Sequence, residues 1–189
     1  GIKKGDTVLV ILKRHYQFWF TILALHKIGA VIIPATHLLT KKDVAYRVDA
    51  ADVAAVVCTA DGEVSRSVED ACAQFDRPIR KFLVHGSREG WVDFDGELER
   101  YSDRLERIPN RVDDPAVIFF TSGTTGYPKM VEHSHSYPIG HIITARHWHN
   151  VVPDGLHLTV ADTGWGKALW GKLYGQWLCA AGIFVYDFD

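Results

Sequence analysis

Ala116-Val117-Ile118-Phe119-Phe120-Thr121-Ser122-Gly123-Thr124-Thr125-Gly126-Tyr127-Pro128-Lys129 decides how this chain is read. The opening run, Ala116 to Phe120, is apolar and rich in β-branched and aromatic residues, the pattern of a buried strand. The chain then enters hydroxyls and glycines that end in a lysine. Gly123 and Gly126 permit positive φ and a close approach of backbone to a ligand. Successive free N–H groups in such a turn converge on an anion. Thr121, Ser122, Thr124 and Thr125 add hydroxyl donors, and Lys129 adds a mobile cation. The stretch therefore predicts a phosphate-gripping loop, with Met130 to His133 returning as a hairpin strand. A plain surface turn shares the glycines and proline but needs neither the four hydroxyls nor the closing lysine. A P-loop of the Gly-Lys-Ser/Thr kind fails on spacing, because Pro128 precedes the lysine and Met130 follows it. Without an anion, Ser122 to Tyr127 is expected to be mobile, since nothing fixes its glycines and free donors.

Working outward, strand and helix alternate upstream of the loop. Thr7 to Leu12, Ala30 to Ala35, Val53 to Cys58 and Lys81 to Val84 read as short buried strands. Between them, Tyr16 to Ile28 predicts a helix buried on most sides, with Trp19 in the core and Gly29 as a left-handed cap. Thr40 and Asp43 form a capping box for a helix through about Ala51, and Ala60 to Phe75 predicts another. This alternation points to an α/β fold: a mostly parallel sheet covered by helices on both faces. Mixed charges from Glu97 to Arg107 predict an exposed connector helix. Pro109 to Pro115 is the candidate boundary, dividing an early lobe (1–112) from a phosphate-loop lobe (113–189). Beyond the loop, Ile139 to His149 and Lys167 to Ala181 read as helices, and Leu156 to Ala161 and Ile183 to Tyr186 as strands.

Composition narrows the function classes. The 189 residues suit one domain or a large part of one, and 47% apolar residues are ample for a core. A net charge of −2 leaves no electrostatic footprint for nucleic acid or an anionic membrane. No apolar run reaches membrane-spanning length, and the start does not read as a cleavable signal. Cys58, Cys72 and Cys179 lack zinc-ligand spacing and read as reduced, buried thiols of a cytoplasmic protein.

Thr121 to Lys129 resembles the phosphate-loop signature of the adenylate-forming enzymes: acyl-CoA synthetases, luciferases and peptide-synthetase adenylation domains. Gly1-Ile-Lys-Lys-Gly-Asp-Thr-Val-Leu-Val, Lys27 to Ala35 and Leu39 to Arg47 are similar to that family's early core. Gly90 to Phe94, Lys129 to Ser136 and Ala161 to Gly166 resemble the acetyl- and medium-chain acyl-CoA synthetase branch. The resemblance implies an incomplete N-terminal adenylation-domain core, since the family's later motifs for adenine, ribose, Mg²⁺ and a catalytic lysine have no counterpart here. It implies an enzyme that joins a small carboxylic acid to CoA through an acyl-adenylate. ATP, Mg²⁺ and CoA are then the substrates and cofactor of the full-length parent, and the isolated chain is expected to be inactive.

The same resemblance assigns candidate site residues. Thr121, Ser122, Gly123, Thr124, Thr125, Gly126 and Lys129 would hold the ATP phosphates, with Lys129 neutralising charge as pyrophosphate leaves. Mg²⁺ would bridge those phosphates and keep most of its water. Asp162, Gly164, Trp165 and Gly166 would face the carboxylate and acyl group, joined by His133. From chemistry alone, Asp162 could instead cap a helix with Trp165 in the core behind it. Six of the ten histidines fall between His133 and His157, but without the spacing of a metal site. His15, His26, His37 and His85 look isolated and receive no role. Two other readings stay open: an adenylating enzyme that loads a carrier protein, and a non-catalytic nucleotide- or acyl-binding module. An unpaired sheet edge would make the chain taken alone prone to dimerise.

Overall fold

The computed structural model describes residues 1–106, 108–122 and 126–187. Its frame is a seven-stranded sheet. In chain order the strands are β1 (Thr7–Ile11), β2 (Val31–Pro34), β3 (Ala55–Thr59), β4 (Arg80–Val84), β5 (Val92–Asp93), β6 (Pro115–Thr121) and β7 (Lys129–Ser134), arranged β5-β4-β3-β1-β2-β6-β7. All neighbours run parallel except β6 and β7, which form the expected antiparallel hairpin. The sheet passes without a break across Pro109–Pro115, because β6 pairs with β2.

The apolar runs form central strands because each strand supplies residues to both faces. From β1, Leu9 and Ile11 join the core beneath α2 (Lys41–Ala50) and α3 (Val64–Cys72). Val8 and Val10 pack oppositely, with Phe18, Trp19 and Ile22 of α1 (Gln17–Ile28). That continuous burial on both faces is what parallel strands require. The capping box at Thr40 and Asp43 is formed, and Gly29 closes α1 with φ 72°. Trp19 is buried as expected, with the Lys172 ammonium 5.3 Å from its ring centre.

Three expectations are corrected. Helix α1 is not buried on most sides: Tyr16, Phe20 and Leu23 are exposed, so one flank of this apolar helix is open among the described residues. Among the described residues, the connector helix expected over Glu97 to Arg107 does not form. Only α4 (Phe94–Leu98) forms, held at its start by Gly96 N donating to Asp93 Oδ1. Beyond it the mixed charges supply side-chain pairs such as Arg100 with Glu97 but no face to bury, and pairs alone do not sustain a helix. The strand expected over Leu156 to Ala161 shrinks to β8 (Leu156–His157), which pairs with β9 (Gly182–Ile183) in a separate small sheet.

After β7 come α5 (Tyr137–His147) and a continuous helical stretch. That stretch begins as α6 (Gly166–Ala168), loosens into a π-helical segment over Leu169–Tyr174 and closes as α7 (Gly175–Leu178). Close packing here depends on Gly175, where a Cβ would come 2.5 Å from the His141 carbonyl oxygen. None of the described helices is long and apolar enough to cross a membrane. All three cysteines are free and buried, and burial pushes the Cys58 thiol up to about 12 and Cys72 to about 11.

His26 ties α1 to these later elements. Its Nε2 lies 2.9 Å from Tyr174 Oη and its ring 5.4 Å from that of His135 on the return side of the hairpin. Burial, helped by His135, lowers its pKa from 6.5 to about 4. The unfolded chain therefore takes up this proton first, so the contribution of His26 to stability is flat above pH 6.5, falls between 6.5 and about 4, and levels below. The shift corresponds to at most about 3 kcal/mol. Urea unfolding of wild type and His26→Gln across that window checks it: the variant should lose the part of the slope that His26 supplies.

Candidate active site

The hairpin brings Thr121 and Lys129 opposite each other as Cα partners at the end of β6 and the start of β7, with Ser122, Gly126, Tyr127 and Pro128 beyond them. Thr121 Oγ1 donates to the Lys129 carbonyl oxygen at 3.5 Å. Lys129 is exposed, and its ammonium has no ion pair among the described residues. Gly126 adopts φ 98°, where a side chain would be strained. Gly123, Thr124 and Thr125 lie outside the described residues.

The tip is braced by α2. Tyr46 Oη donates to the Pro128 carbonyl oxygen at 2.8 Å, and the Tyr46 and Tyr127 rings lie 5.0 Å apart. The next residue, Arg47, lays its guanidinium 5.0 Å from the Phe120 ring and donates to the Asp43 carbonyl oxygen at 2.9 Å. Sequence reading passed over both residues, although they close a stretch similar to the family core. Their relevance depends on α2 packing beside the hairpin, more than seventy residues away in the chain.

A cleft of about 600 Å³ opens beside the tip. Thr121, Ser122, Pro128 and His133 of the hairpin line it, together with Gly164, Trp165 and Gly166 of the turn after Asp162. Arg47 adds a cation to the wall, while Phe119, Tyr137 and Trp170 make an aromatic floor. Burial raises the Tyr137 hydroxyl to about 12, which keeps it protonated. His133 stacks 4.1 Å from Tyr137, and its neighbours continue as a ladder of rings: Tyr137 to His141, then His141 and His149 on either contact of Trp170. Much of the histidine-rich segment is thus an aromatic support for the cleft.

Gly164 is where the cleft wall meets the sheet. A Cβ there would fall inside van der Waals distance of Thr36 N and Ala35 C, so only glycine permits this approach to the end of β2. Asp162 Oδ1 accepts from Gly164 N at 2.8 Å, fixing the turn, and Asp162 Oδ2 lies 3.4 Å from His37 Nδ1. Asp162 does not itself line the cleft. The helix begins at Gly166 with Trp165 before it, and no side chain caps it. Trp165 is 65% exposed, which excludes the core-tryptophan alternative. No strand immediately precedes Asp162, contrary to expectation, since β8 ends at His157.

No Asp or Glu is among the described residues lining the cleft. The cleft sets hydroxyls, an imidazole and a guanidinium beside an aromatic wall.

The family model described as AMP-binding enzyme matches residues 1–187. Acyl-coenzyme A synthetase ACSM4, mitochondrial, of Rattus norvegicus is 35% identical over 98% of this chain, which spans 32% of that protein. The chain thus spans about a third of the length of the curated relatives it matches. Among solved structures, an acyl-CoA synthetase of Brucella canis superposes with TM-score 0.83 and 24% identity, covering 98% of this chain and 33% of that one. The anthranilate CoA ligase AuaEII, solved in complex with anthranoyl-AMP, gives TM-score 0.88 and 19% identity, with coverage of 100% and 36%. These likenesses match the α/β sheet described above.

Proposed function

The chain belongs to the AMP-binding enzyme family, and on that premise we propose that it is part of an AMP-forming acyl-CoA synthetase. The whole protein would convert a small carboxylic acid and ATP to an acyl-adenylate and pyrophosphate, then pass the acyl group to CoA. One observation carries this reading: a single cleft joins the hairpin tip to the Gly164–Gly166 turn. The relatives' names favour CoA over a carrier protein as acceptor.

In this reading the tip hydroxyls and Lys129 take the phosphates, Arg47 adds positive potential to the wall, and the acid lies toward Trp165. Catalysis is then positioning and charge stabilisation, with the carboxylate oxygen attacking the α-phosphorus and no general base needed. Mg²⁺ supplies further phosphate neutralisation when bound with the nucleotide. Residues 1–112 would supply Arg47 and the end of β2 to the cleft and 113–189 the phosphate loop and acyl wall, a division of role within one sheet. Taken alone, the chain would lack the full reaction, and β7 would offer its open edge to a second copy. The free thiols fit a reducing compartment such as the cytoplasm, while the relative's name places that protein in mitochondria.

Trp165 tests the acyl assignment. If its indole closes the far end, Trp165→Ala in the whole protein opens room for a longer chain. Each buried CH₂ contributes about 0.8 kcal/mol, so two more give about 1.6 kcal/mol, or about tenfold in relative specificity. Measured as kcat/KM from acetate to octanoate, preference should move to longer acids while the KM for ATP stays nearly unchanged. A uniform loss at every length would end the assignment.

A further inference from the structure

His15 and His85, seventy residues apart in the chain, are brought together at the carboxyl ends of the parallel strands. His15 follows β1, Thr59 ends β3 with Asp61 just beyond, and His85 follows β4. The strand order reverses between β1 and β3, the place where open parallel sheets leave a crevice for ligands. We propose that His15, Asp61 and His85 form a binding site for a divalent transition-metal ion of the Zn²⁺ class, separate from the cleft beside the hairpin.

The donor set and its support argue for this. Donor atoms of the three residues all lie within 4.8 Å of one another, and the two imidazole rings are 4.3 Å apart. His15 is buried, whereas Asp61 and His85 are at the surface. Tetrahedral Zn²⁺ needs bonds of about 2.0–2.2 Å to such ligands. His15 Nδ1 faces Asp187 Oδ2 at 2.6 Å, and a carboxylate there accepts the ring proton. That leaves Nε2, 3.2 Å from Asp61 Oδ2 and 2.8 Å from Thr59 Oγ1, to present its lone pair. A carboxylate behind a ligating imidazole is the usual outer support of such sites.

His85 is held just as deliberately. Its backbone is left-handed, φ 61°, a conformation uncommon outside glycine, and its N–H donates to Asp95 Oδ2 at 2.8 Å. Gln17, 1% exposed, donates from Nε2 to His85 Nε2 at 3.0 Å and to Asp95 Oδ1 at 2.8 Å, and the ion would take the place of the first of these at the imidazole. Lys13 Nζ pairs with Asp61 Oδ2 at 3.9 Å, at the long end of an ion pair. Two imidazoles and a carboxylate leave a fourth position to water at the open side. The ion would clamp the loops after β1, β3 and β4 together.

Titration of the 189-residue chain with Zn²⁺ by calorimetry, and with Co²⁺ by visible absorption, tests this. Wild type should bind one equivalent tightly, with the strong visible bands of tetrahedral Co²⁺. His85→Ala and Asp61→Asn, both at surface positions, should abolish those bands and weaken Zn²⁺ by more than about tenfold, and Asp187→Asn by about 10–100-fold. His147→Ala, in the other histidine-rich region, should change neither. Near-ultraviolet circular dichroism would confirm that each variant is folded. Wild-type affinity in folded His85→Ala, or no Zn²⁺ binding by wild type, would overturn the proposal.

Discussion

Lys129→Ala in the whole protein is expected to lower kcat/KM for adenylation by about 10²–10³, the usual cost of removing one preorganised charge donor at a developing anion. Lys129 stands at the start of β7, paired with Thr121 across the hairpin, and is exposed. Its loss should therefore leave the fold intact. Carboxylate-dependent ATP–pyrophosphate exchange measures the effect, and thermal unfolding supplies the control. A fall in exchange that merely followed a fall in melting temperature would remove Lys129 from the chemistry. Lys129→Arg should recover only part, because a planar fork does not replace a compact ammonium.

Gly164→Ala carries the second large effect, and it falls on stability. The new methyl would press on backbone atoms of Ala35 and Thr36, which cannot turn aside as a side chain would. Overpacking of this kind costs about 1–3 kcal/mol or somewhat more, and the upper end applies here. Gly166→Ala is the matched control: its Cβ would meet Phe119 at 3.5 Å, an ordinary contact. At the first position of α6 the alanine should cost well under about 1 kcal/mol, given its better helix propensity. Chemical denaturation of both variants separates them. Equal stabilities would mean that the turn is not pinned to the end of β2.

Much of the fold could be read from the chain because its signals are local. The hairpin follows from an apolar run, a turn-rich tip and a return strand, and the register of Thr121 with Lys129 agrees. The capping box at Thr40 and the left-handed Gly29 likewise depend only on neighbours. What misled were segments whose fate depends on a distant partner. Leu156, Leu158 and Val160 alternate like a strand, yet all are exposed, because among the described residues only Leu156–His157 finds a pairing edge. Phe20 and Leu23 give α1 an all-round apolar look, and periodicity cannot say which flank is covered.

The candidate site divides in the same way. Thr121, Ser122, Gly164, Trp165, Gly166 and His133 were picked from motifs, and the cleft gathers all of them. Arg47, Tyr137 and Trp170 were missed, since each reaches the cleft from a separate element packed on the sheet. His15 and His85 looked isolated for a related reason. Only the parallel alignment of β1, β3 and β4 sets their carboxyl ends side by side.

The most direct test of the central claim is a crystal structure of the whole protein with a non-hydrolysable acyl-adenylate analogue. The phosphate should lie against the Thr121–Lys129 tip and the acyl group against Trp165 and Gly166. An adenylate bound elsewhere, for example in the neighbouring pocket between Arg14, Lys172 and Phe184, would contradict it.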